Sequence, residues 1–184
     1  ELGLLKTRRI AEAMMRVDRA NYCPGDAPYG DHPCPIGYQQ TISAPHMHAH
    51  CLELLKDRLQ PGANVLDVGC GSGYLVACMA HLVVSGEEGR VTGIEVVPGL
   101  VEKAKENLSK DQPEMVDKEN IVVQEGDGWK GCQAFAPFDL IHVGAAAASV
   151  PAALLEQLKP TGRLVIPVGP RDGAQSLMQY DKLA

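Results

Sequence analysis

The segment VLDVGCGSG, at residues 65–73, is a short apolar run that ends in a glycine-rich turn. A helical pattern, YLVACMAHLV at 74–83, follows it directly. A strand, a glycine turn and a helix in this order predict the first unit of an open, mostly parallel sheet. In such sheets ligands bind beyond the carboxyl ends of the strands, so the turn also indicates where a ligand would lie.

The same alternation of strand and helix continues towards the end of the chain. Apolar runs predict strands at 64–69, 90–97, 120–126, 138–144 and 162–169, and helical patterns predict helices at 74–83, 99–110 and 151–159. Near-continuous apolar strands separated by helices indicate a sheet covered on both faces. The predicted fold class is therefore α/β, a doubly wound and mostly parallel sheet.

The N-terminal third predicts an appendage to this sheet. Residues 8–22 have a helical pattern with Ile10, Met14 and Val17 on one stripe. The proline- and glycine-rich stretch 23–40 predicts an irregular loop. We expect one domain over 1–184, in which 1–62 cover the ligand and 63–184 form the sheet core.

Composition narrows the function classes. The length of 184 residues suits one domain, and the formal charge of -6 argues against a protein that grips nucleic acid through its phosphates. We see no apolar run of 18 residues and therefore expect no membrane partner. The 6 cysteines form no Cys-x-x-Cys pair, so reduced and mostly buried thiols in the cytoplasm are expected.

The glycine turn predicts a close backbone approach to a ligand. Gly69, Gly71 and Gly73 remove the side chains that would collide with it. The spacing is Gly-x-Gly-x-Gly, and Tyr74 stands where a dinucleotide site would have its third glycine. The turn alone is not specific for one ligand.

Three acidic residues stand at the ends of three successive predicted strands, and they narrow the class of ligand that the site could bind. Asp67, Glu95 and Asp127 would meet at one edge of the sheet, and Glu95 could accept both hydroxyls of a ribose. This arrangement suits an adenosyl ligand with a cationic centre better than a pyrophosphate. It resembles the class I S-adenosylmethionine-dependent methyltransferases, with a nicotinamide enzyme as the alternative. Each acid alone could also be a solvated loop carboxylate or a helix cap.

Two further motifs, TISAPHMHA at 41–49 and HVGAAA at 142–147, are more specific. With them, nearly the whole chain resembles the protein-L-isoaspartate (D-aspartate) O-methyltransferase family. The resemblance implies transfer of a methyl group from S-adenosyl-L-methionine, leaving S-adenosyl-L-homocysteine, to the free carboxylate of isoaspartyl, and possibly D-aspartyl, residues in aged proteins and peptides. The cofactor-binding residues expected from the turn, the acids and the resemblance are Gln40, Thr41, Ile42, Ser43, His48, Asp67, Gly69, Cys70, Gly71, Gly73, Glu95, Val96, Asp127 and Gly128.

Ser43 is the residue to which the resemblance assigns catalysis. A carboxylate with a pKa of about 4 is already ionised at neutral pH, so the reaction needs no strong base. Ser43 would then hold the acceptor by a hydrogen bond. From sequence alone, a serine just before a helix with Pro45 in its first turn could instead be a cap.

The histidines of this segment are sorted by helical geometry. In a helix that begins at Pro45, His48 lies on the inner face, as a core residue or a cofactor contact, and His46 and His50 lie on the opposite face. His46 and His50 have the spacing of a metal pair, but no third ligand is apparent. We expect surface histidines and no metal.

Two departures from the family pattern and two competing functions stay open. Cys70 occupies a turn position where family members often carry serine, and the family pattern continues for roughly forty residues beyond Ala184, so we expect a shortened C-terminus with an exposed sheet edge.

The competing functions are a catalytically silent S-adenosylmethionine-binding adaptor or shortened isoform, and a methyltransferase that acts on RNA or a small molecule. The acidic balance and the lack of an Asn-Pro-Pro-Tyr-type motif argue against the latter. A monomer is the expected state.

Overall fold

The computed structural model describes residues 5–170 and 172–184. The α-helices of this part of the chain are α1 (Arg8–Arg16), α2 (Pro45–Leu55), α3 (Tyr74–Val83), α4 (Pro98–Asp111), α5 (Pro113–Asp117) and α6 (Ala152–Glu156). The strands are β1 (Cys34–Gly37), β2 (Gln40–Ile42), β3 (Asn64–Val68), β4 (Arg90–Glu95), β5 (Ile121–Glu125), β6 (Phe138–Val143), β7 (Leu158–Val168) and β8 (Ser176–Asp181). Single turns of 3₁₀ helix cover Arg19–Asn21 and Gly128–Lys130.

Six strands form one sheet in the order β5-β4-β3-β6-β7-β8. Strands β3 to β7 are parallel, and β8 runs antiparallel to β7. The predicted fold class is confirmed. Because the chain continues from β3 to β4 on one side and places β6 on the other, the switch point of the sheet lies between β3 and β6.

Alternation along the central strand β3 builds a core on each face of the sheet. Val65 packs with helix residues such as Val76 and Met79 on one face, and Leu66 packs with Phe138 and others on the opposite face. Each of these fully buried apolar side chains contributes roughly 1.5–3 kcal/mol relative to its exposed state. Helix α3 is apolar nearly all round because it lies between the sheet and α1.

The stretch 23–40 was predicted to be an irregular loop, and this is wrong for its second half. Strands β1 and β2 form an antiparallel hairpin, with Cys34 opposite Ile42. Its turn places Tyr38 and Gln39 at φ values of 52° and 58°, a conformation that sequence rules expect mainly of glycine and asparagine. The hairpin carries Ile36 to within 3.2 Å of the position that a Cβ of Gly71 would take, so it covers the glycine turn.

Two predicted helices are shorter than expected. The pattern at 8–22 breaks after Arg16, and a separate 3₁₀ turn follows in which Asp18 accepts from the backbone of Ala20. The helix predicted at 151–159 ends at Glu156, because Leu158 pairs with Phe138 and begins β7. In the described residues we find no helix that is long and apolar enough to cross a membrane.

Candidate functional site

A pocket lies at the switch point, between the glycine turn and the segment that precedes α2. It is lined by Ile36, Thr41, Ile42, Ser43, His48, Asp67, Gly69, Cys70, Gly71, Ser72, Tyr74, Leu75, His142 and Gly144. The structure thus brings together two distant parts of the sequence, residues 41–48 and 67–71, as predicted. It also adds residues from the end of β6.

Asp67 and His142 form a buried pair at the base of this pocket. They are register partners on the neighbouring strands β3 and β6, and His142 Nδ1 lies 2.7 Å from Asp67 Oδ1. Their side chains are only 2% and 8% exposed. Burial disfavours the imidazolium, but the hydrogen bond with Asp67 and the contact with the Cys51 thiol outweigh it and raise the pKa of His142 to about 10. The pair is therefore an ion pair at neutral pH.

His48 points inward from α2, as the helical geometry predicted, and is buried. Arg19 Nη1 lies 3.3 Å from His48 Nδ1, and since an arginine can only donate, this nitrogen accepts. Burial, followed by the charges of Arg19 and His142, lowers the pKa of His48 to about 3. The ring is neutral and carries its proton on Nε2.

Ser43 is exposed on the wall of the pocket. The N-cap of α2 is Ala44, and no side chain caps this helix, so the alternative interpretation of Ser43 as a helix cap is wrong. Its backbone carbonyl accepts a hydrogen bond of 2.8 Å from Arg19 Nη2. The backbone of Ser43 is thereby fixed.

The glycine turn has the left-handed backbone that its sequence predicts. The φ values of Gly69, Gly71 and Gly73 are 72°, 55° and 94°. Across the switch point, a Cβ on Gly144 would lie 3.0 Å from the carbonyl oxygen of Gly69. The two strand ends therefore approach closely, and glycine at both positions keeps the pocket open.

Cys70 occupies the turn as a buried, free thiol. Burial, with the negative charges of Asp67 and Glu95, raises its pKa well above the usual value. A protonated thiol fits the expectation that the backbone, rather than this side chain, performs the binding. All 6 cysteines are free and buried, as predicted.

Glu95 ends β4 beside the glycine turn, where it was predicted to lie. One of its carboxylate oxygens accepts from the backbone N–H groups of Val96 and Val97, at 2.9 and 3.0 Å, and the other accepts from Gly71 at 3.1 Å. The carboxylate is buried and joins the turns that follow β3 and β4. The neighbouring Val96 is 67% exposed, so its apolar side chain is free to contact a ligand.

Asp127 and Gly128 follow β5, and they do not line the pocket. Asp127 accepts a 3.0 Å hydrogen bond from the backbone of Trp129, which caps the 3₁₀ turn. A Cβ on Gly128 would collide with Val68. Gln40, Gly73, Glu95 and Val96 also lie outside the pocket lining, along the same edge of the sheet or in the hairpin.

His46 and His50 lie on the outer side of α2, as predicted. His46 Nδ1 is 2.9 Å from Asp31, and His50 is exposed. Within residues 5–170 and 172–184 we find no group of three or more histidines, cysteines or acids that could hold a metal ion.

Sequence reasoning missed Arg19 and His142. A signal for His142 exists, because Asp67 and His142 each stand two positions before a glycine, in DVG and HVG. Equal offsets from the two strand ends make them register partners on adjacent parallel strands. Arg19 carries no such signal, since its acceptors Pro28, Ser43 and His48 come from three separate segments.

The residues present fit an adenosyl cofactor with a sulfonium group. Ser72 is among the residues that line the pocket, and its buried hydroxyl has no hydrogen-bond partner, so a polar ligand group could satisfy it. The glycines leave room for a close backbone contact, and the acids at the strand ends supply acceptors and negative charge. A pyrophosphate would meet the buried carboxylate of Glu95 as a repelling charge.

Fold and site together define an S-adenosylmethionine-dependent methyltransferase of class I. The family model described as protein-L-isoaspartate (D-aspartate) O-methyltransferase matches residues 1–184. The chain therefore belongs to this family.

Individual relatives agree with the family match. The chain is 52% identical to the protein-L-isoaspartate O-methyltransferase of Triticum aestivum, over 100% of this chain and 79% of the relative. It is 50% identical to protein-L-isoaspartate O-methyltransferase 2 of Arabidopsis thaliana, over 91% of this chain but only 54% of that protein. A crystal structure of the Plasmodium falciparum relative in complex with S-adenosyl-L-homocysteine superposes with a TM-score of 0.90 at 36% identity, covering 98% of this chain and 84% of that one.

Proposed function

We propose that the chain transfers a methyl group from S-adenosyl-L-methionine to the free carboxylate of L-isoaspartyl residues in aged proteins and peptides. The observation that carries this proposal is the pocket, in which the Ser43 segment faces the glycine turn and the Asp67–His142 pair. Family membership supports the choice of acceptor. The methyl ester can cyclise to a succinimide with release of methanol, and hydrolysis of the succinimide returns some normal aspartyl bonds, which is a repair activity.

The residues that would hold the cofactor lie along the carboxyl ends of β3, β4 and β5. The glycine turn would lie against its methionine end, Glu95 would accept from its ribose, and Val96, Asp127 and Gly128 would contact its adenine. Residues Gln40 to Ser43 and His48 would cover it from the N-terminal side. The bound cofactor supplies a methyl group activated by a sulfonium charge.

The work left to the protein is to position and desolvate the acceptor. The acceptor carboxylate is ionised at neutral pH and needs no base. The exposed Ser43 hydroxyl is free to donate a hydrogen bond to it, which makes Ser43 the proposed catalytic residue. Because the reaction joins an anion to a cation, water opposes it, and a pocket that excludes water favours it. Alignment of the reacting atoms can contribute roughly 7–11 kcal/mol.

The alanines of residues 145–148 follow Gly144, which lines this pocket. Their small side chains suit the close passage of an acceptor peptide, and Gly144 and Ala145 are exposed. We assign this segment to the peptide-binding side of the site.

We also propose that the chain acts as a cytoplasmic monomer of one domain, with residues 1–62 as its covering segment. The free thiols support a reducing compartment.

The test is transfer of a labelled methyl group to a peptide that contains L-isoaspartate, beside the same peptide with L-aspartate or D-aspartate. We expect label in the L-isoaspartyl peptide and none in the L-aspartyl peptide. The D-aspartyl peptide shows how wide the acceptor range is. Equal label in the first two peptides, or no label although the cofactor binds, would contradict the proposed function.

A further inference from the structure

Binding of both reactants in the pocket would bring two opposite charges close to one carboxylate. If the proposed function is right, a cationic sulfonium and an anionic acceptor both lie near Asp67, and Asp67 is 1% exposed. A lone buried carboxylate would attract the first and repel the second, because charges interact strongly where water is excluded. Some group must weaken this repulsion for the acceptor to enter.

His142 is the group in direct contact with Asp67. Its Nδ1 donates to Asp67 across 2.7 Å, and the Cys51 thiol contacts the same ring. The other titratable groups beside the pair are His48 from α2 and Cys70 from the glycine turn, and Glu95 from β4 lies beside Cys70. His48 is neutral and Cys70 is a protonated thiol, so neither can cancel the charge of Asp67.

Two other cations contact residues that line the pocket, and both are directed elsewhere. Lys103 Nζ donates to the carbonyl of Ile36 across 2.9 Å. Arg19 is the second of these cations. Its guanidinium donates to the carbonyls of Pro28 and Ser43 and to His48, and lies over the Tyr74 ring. It forms no ion pair within the described residues. His142 is therefore the cation that contacts Asp67.

We propose that His142 acts through Asp67 as a charge-compensating positioning residue, so that the pocket accepts an anionic carboxylate beside Asp67. The imidazolium cancels most of the carboxylate's charge towards the acceptor. It also limits how strongly Asp67 attracts the sulfonium. The pair would thus balance the affinities for the two reactants rather than maximise either.

This role predicts that removing the charge of His142 weakens binding of the acceptor peptide and strengthens binding of the cationic cofactor. In His142→Asn the amide can still donate to Asp67, but the positive charge is gone. We expect the KM for the isoaspartyl peptide to rise at least about fivefold, since an uncompensated charge now faces the acceptor. We expect S-adenosylmethionine to gain affinity relative to S-adenosylhomocysteine by about fivefold, since the first carries a sulfonium charge and the second does not.

Two further variants separate charge from shape. The double variant Asp67→Asn/His142→Asn removes both charges, and it should bring the peptide KM and the affinity ratio of the two adenosyl ligands back towards the native values. His50→Asn makes the same chemical change at an exposed histidine and should leave both quantities unchanged. A peptide KM and both adenosyl Kd values that worsen together in His142→Asn, without recovery in the double variant, would show a structural role and overturn the proposal.

A measurement on the native chain does not depend on how the variants fold. With ¹⁵N-labelled histidine, the imidazole nitrogens of His142 should both be protonated at pH 7, and those of His48 should be protonated on Nε2 only. A neutral His142 would overturn the proposal. A failure of the proposed function can be told apart from a failure of this proposal. If the chain transfers no methyl group to the isoaspartyl peptide, the ratio of the two adenosyl affinities and the ¹⁵N measurement still test the role of His142.

Discussion

At the scale of single residues, Ser43 offers the sharpest test of the proposed chemistry. Its hydroxyl is exposed at the pocket, and its backbone is held by Arg19 whatever the side chain is. We expect Ser43→Ala to lower kcat on the isoaspartyl peptide about ten- to hundredfold, because a hydrogen bond to a charged group contributes about 1.5–3 kcal/mol. The Kd of S-adenosylmethionine, measured by calorimetry, should change only a few fold.

Ser109→Ala is the matched control for this prediction, since Ser109 is exposed on α4. It should leave kcat and Kd at their native values. A collapse of cofactor affinity in Ser43→Ala would instead make Ser43 a cofactor ligand, and the proposed acceptor contact would be wrong.

Gly73 gives a second prediction at this scale, now on stability. Its φ of 94° is left-handed, and a Cβ there would lie 3.0 Å from Leu108 Cδ1. Gly73→Ala combines backbone strain with overpacking and should lower the free energy of unfolding by roughly 2–4 kcal/mol. Gly86→Ala also has a left-handed φ, of 66°, but meets open space, so it should cost only about 1–2 kcal/mol. Equal urea midpoints for the two variants would exclude the steric contribution of Leu108.

At the scale of elements, Arg19 joins the 3₁₀ turn after α1 to the start of α2. The buried guanidinium donates to Pro28, Ser43 and His48 from one rigid fork, which a lysine cannot reproduce. Arg19→Lys leaves at least one of these acceptors unsatisfied, at a cost of about 1–3 kcal/mol each. We expect faster amide hydrogen exchange in residues 41–48 and weaker cofactor binding.

Arg16→Lys is the control for this change, because Arg16 is exposed at the end of α1. It should leave hydrogen exchange in residues 41–48 at the native rate. If Arg19→Lys also leaves that rate unchanged, Arg19 does not hold the segment.

The elements that sequence predicts well are those whose pattern is set locally. Strands β3, β4, β5 and β6 are apolar runs ended by turn residues, and all were predicted within about two residues. The hairpin β1–β2 escaped prediction because Tyr38 and Gln39 form its turn without a glycine at either φ-positive position. The end of α6 was misplaced because pairing of Leu158 with Phe138 overrides the helical pattern.

At the scale of the whole molecule, the site depends on which residues the sheet places side by side. Asp67 and Glu95 could be predicted because each stands at a strand end, and parallel strands bring those ends to one edge. What Asp67 contacts could not be predicted without knowing that β6 lies next to β3. The order of the strands thus turns two separate motifs, DVG and HVG, into one ion pair.

The free energy of unfolding should depend on pH through the two buried histidines, His48 and His142. The pKa of His142 is raised to about 10, so its contribution is fully present below the unfolded value of about 6.5 and is lost as pH rises towards 10. The pKa of His48 is lowered to about 3, so below pH 6.5 only the unfolded chain binds this proton and stability falls as pH decreases. The two effects together place a maximum of stability near pH 6.5.

The alkaline side of this maximum isolates His142. Between pH 6.5 and 8 the unfolded cysteines, with pKa values of about 8.5, begin to ionise and add a loss of the same sign, so the difference between the native chain and His142→Asn reports the histidine. Each unit of pH then costs up to about 1.4 kcal/mol, and urea unfolding should show a loss on the order of 2 kcal/mol over this range. His142→Asn should flatten the profile there, and His50→Asn should keep it. A native stability that stays constant or rises from pH 6.5 to 8 would mean that His142 is not held as an imidazolium by Asp67.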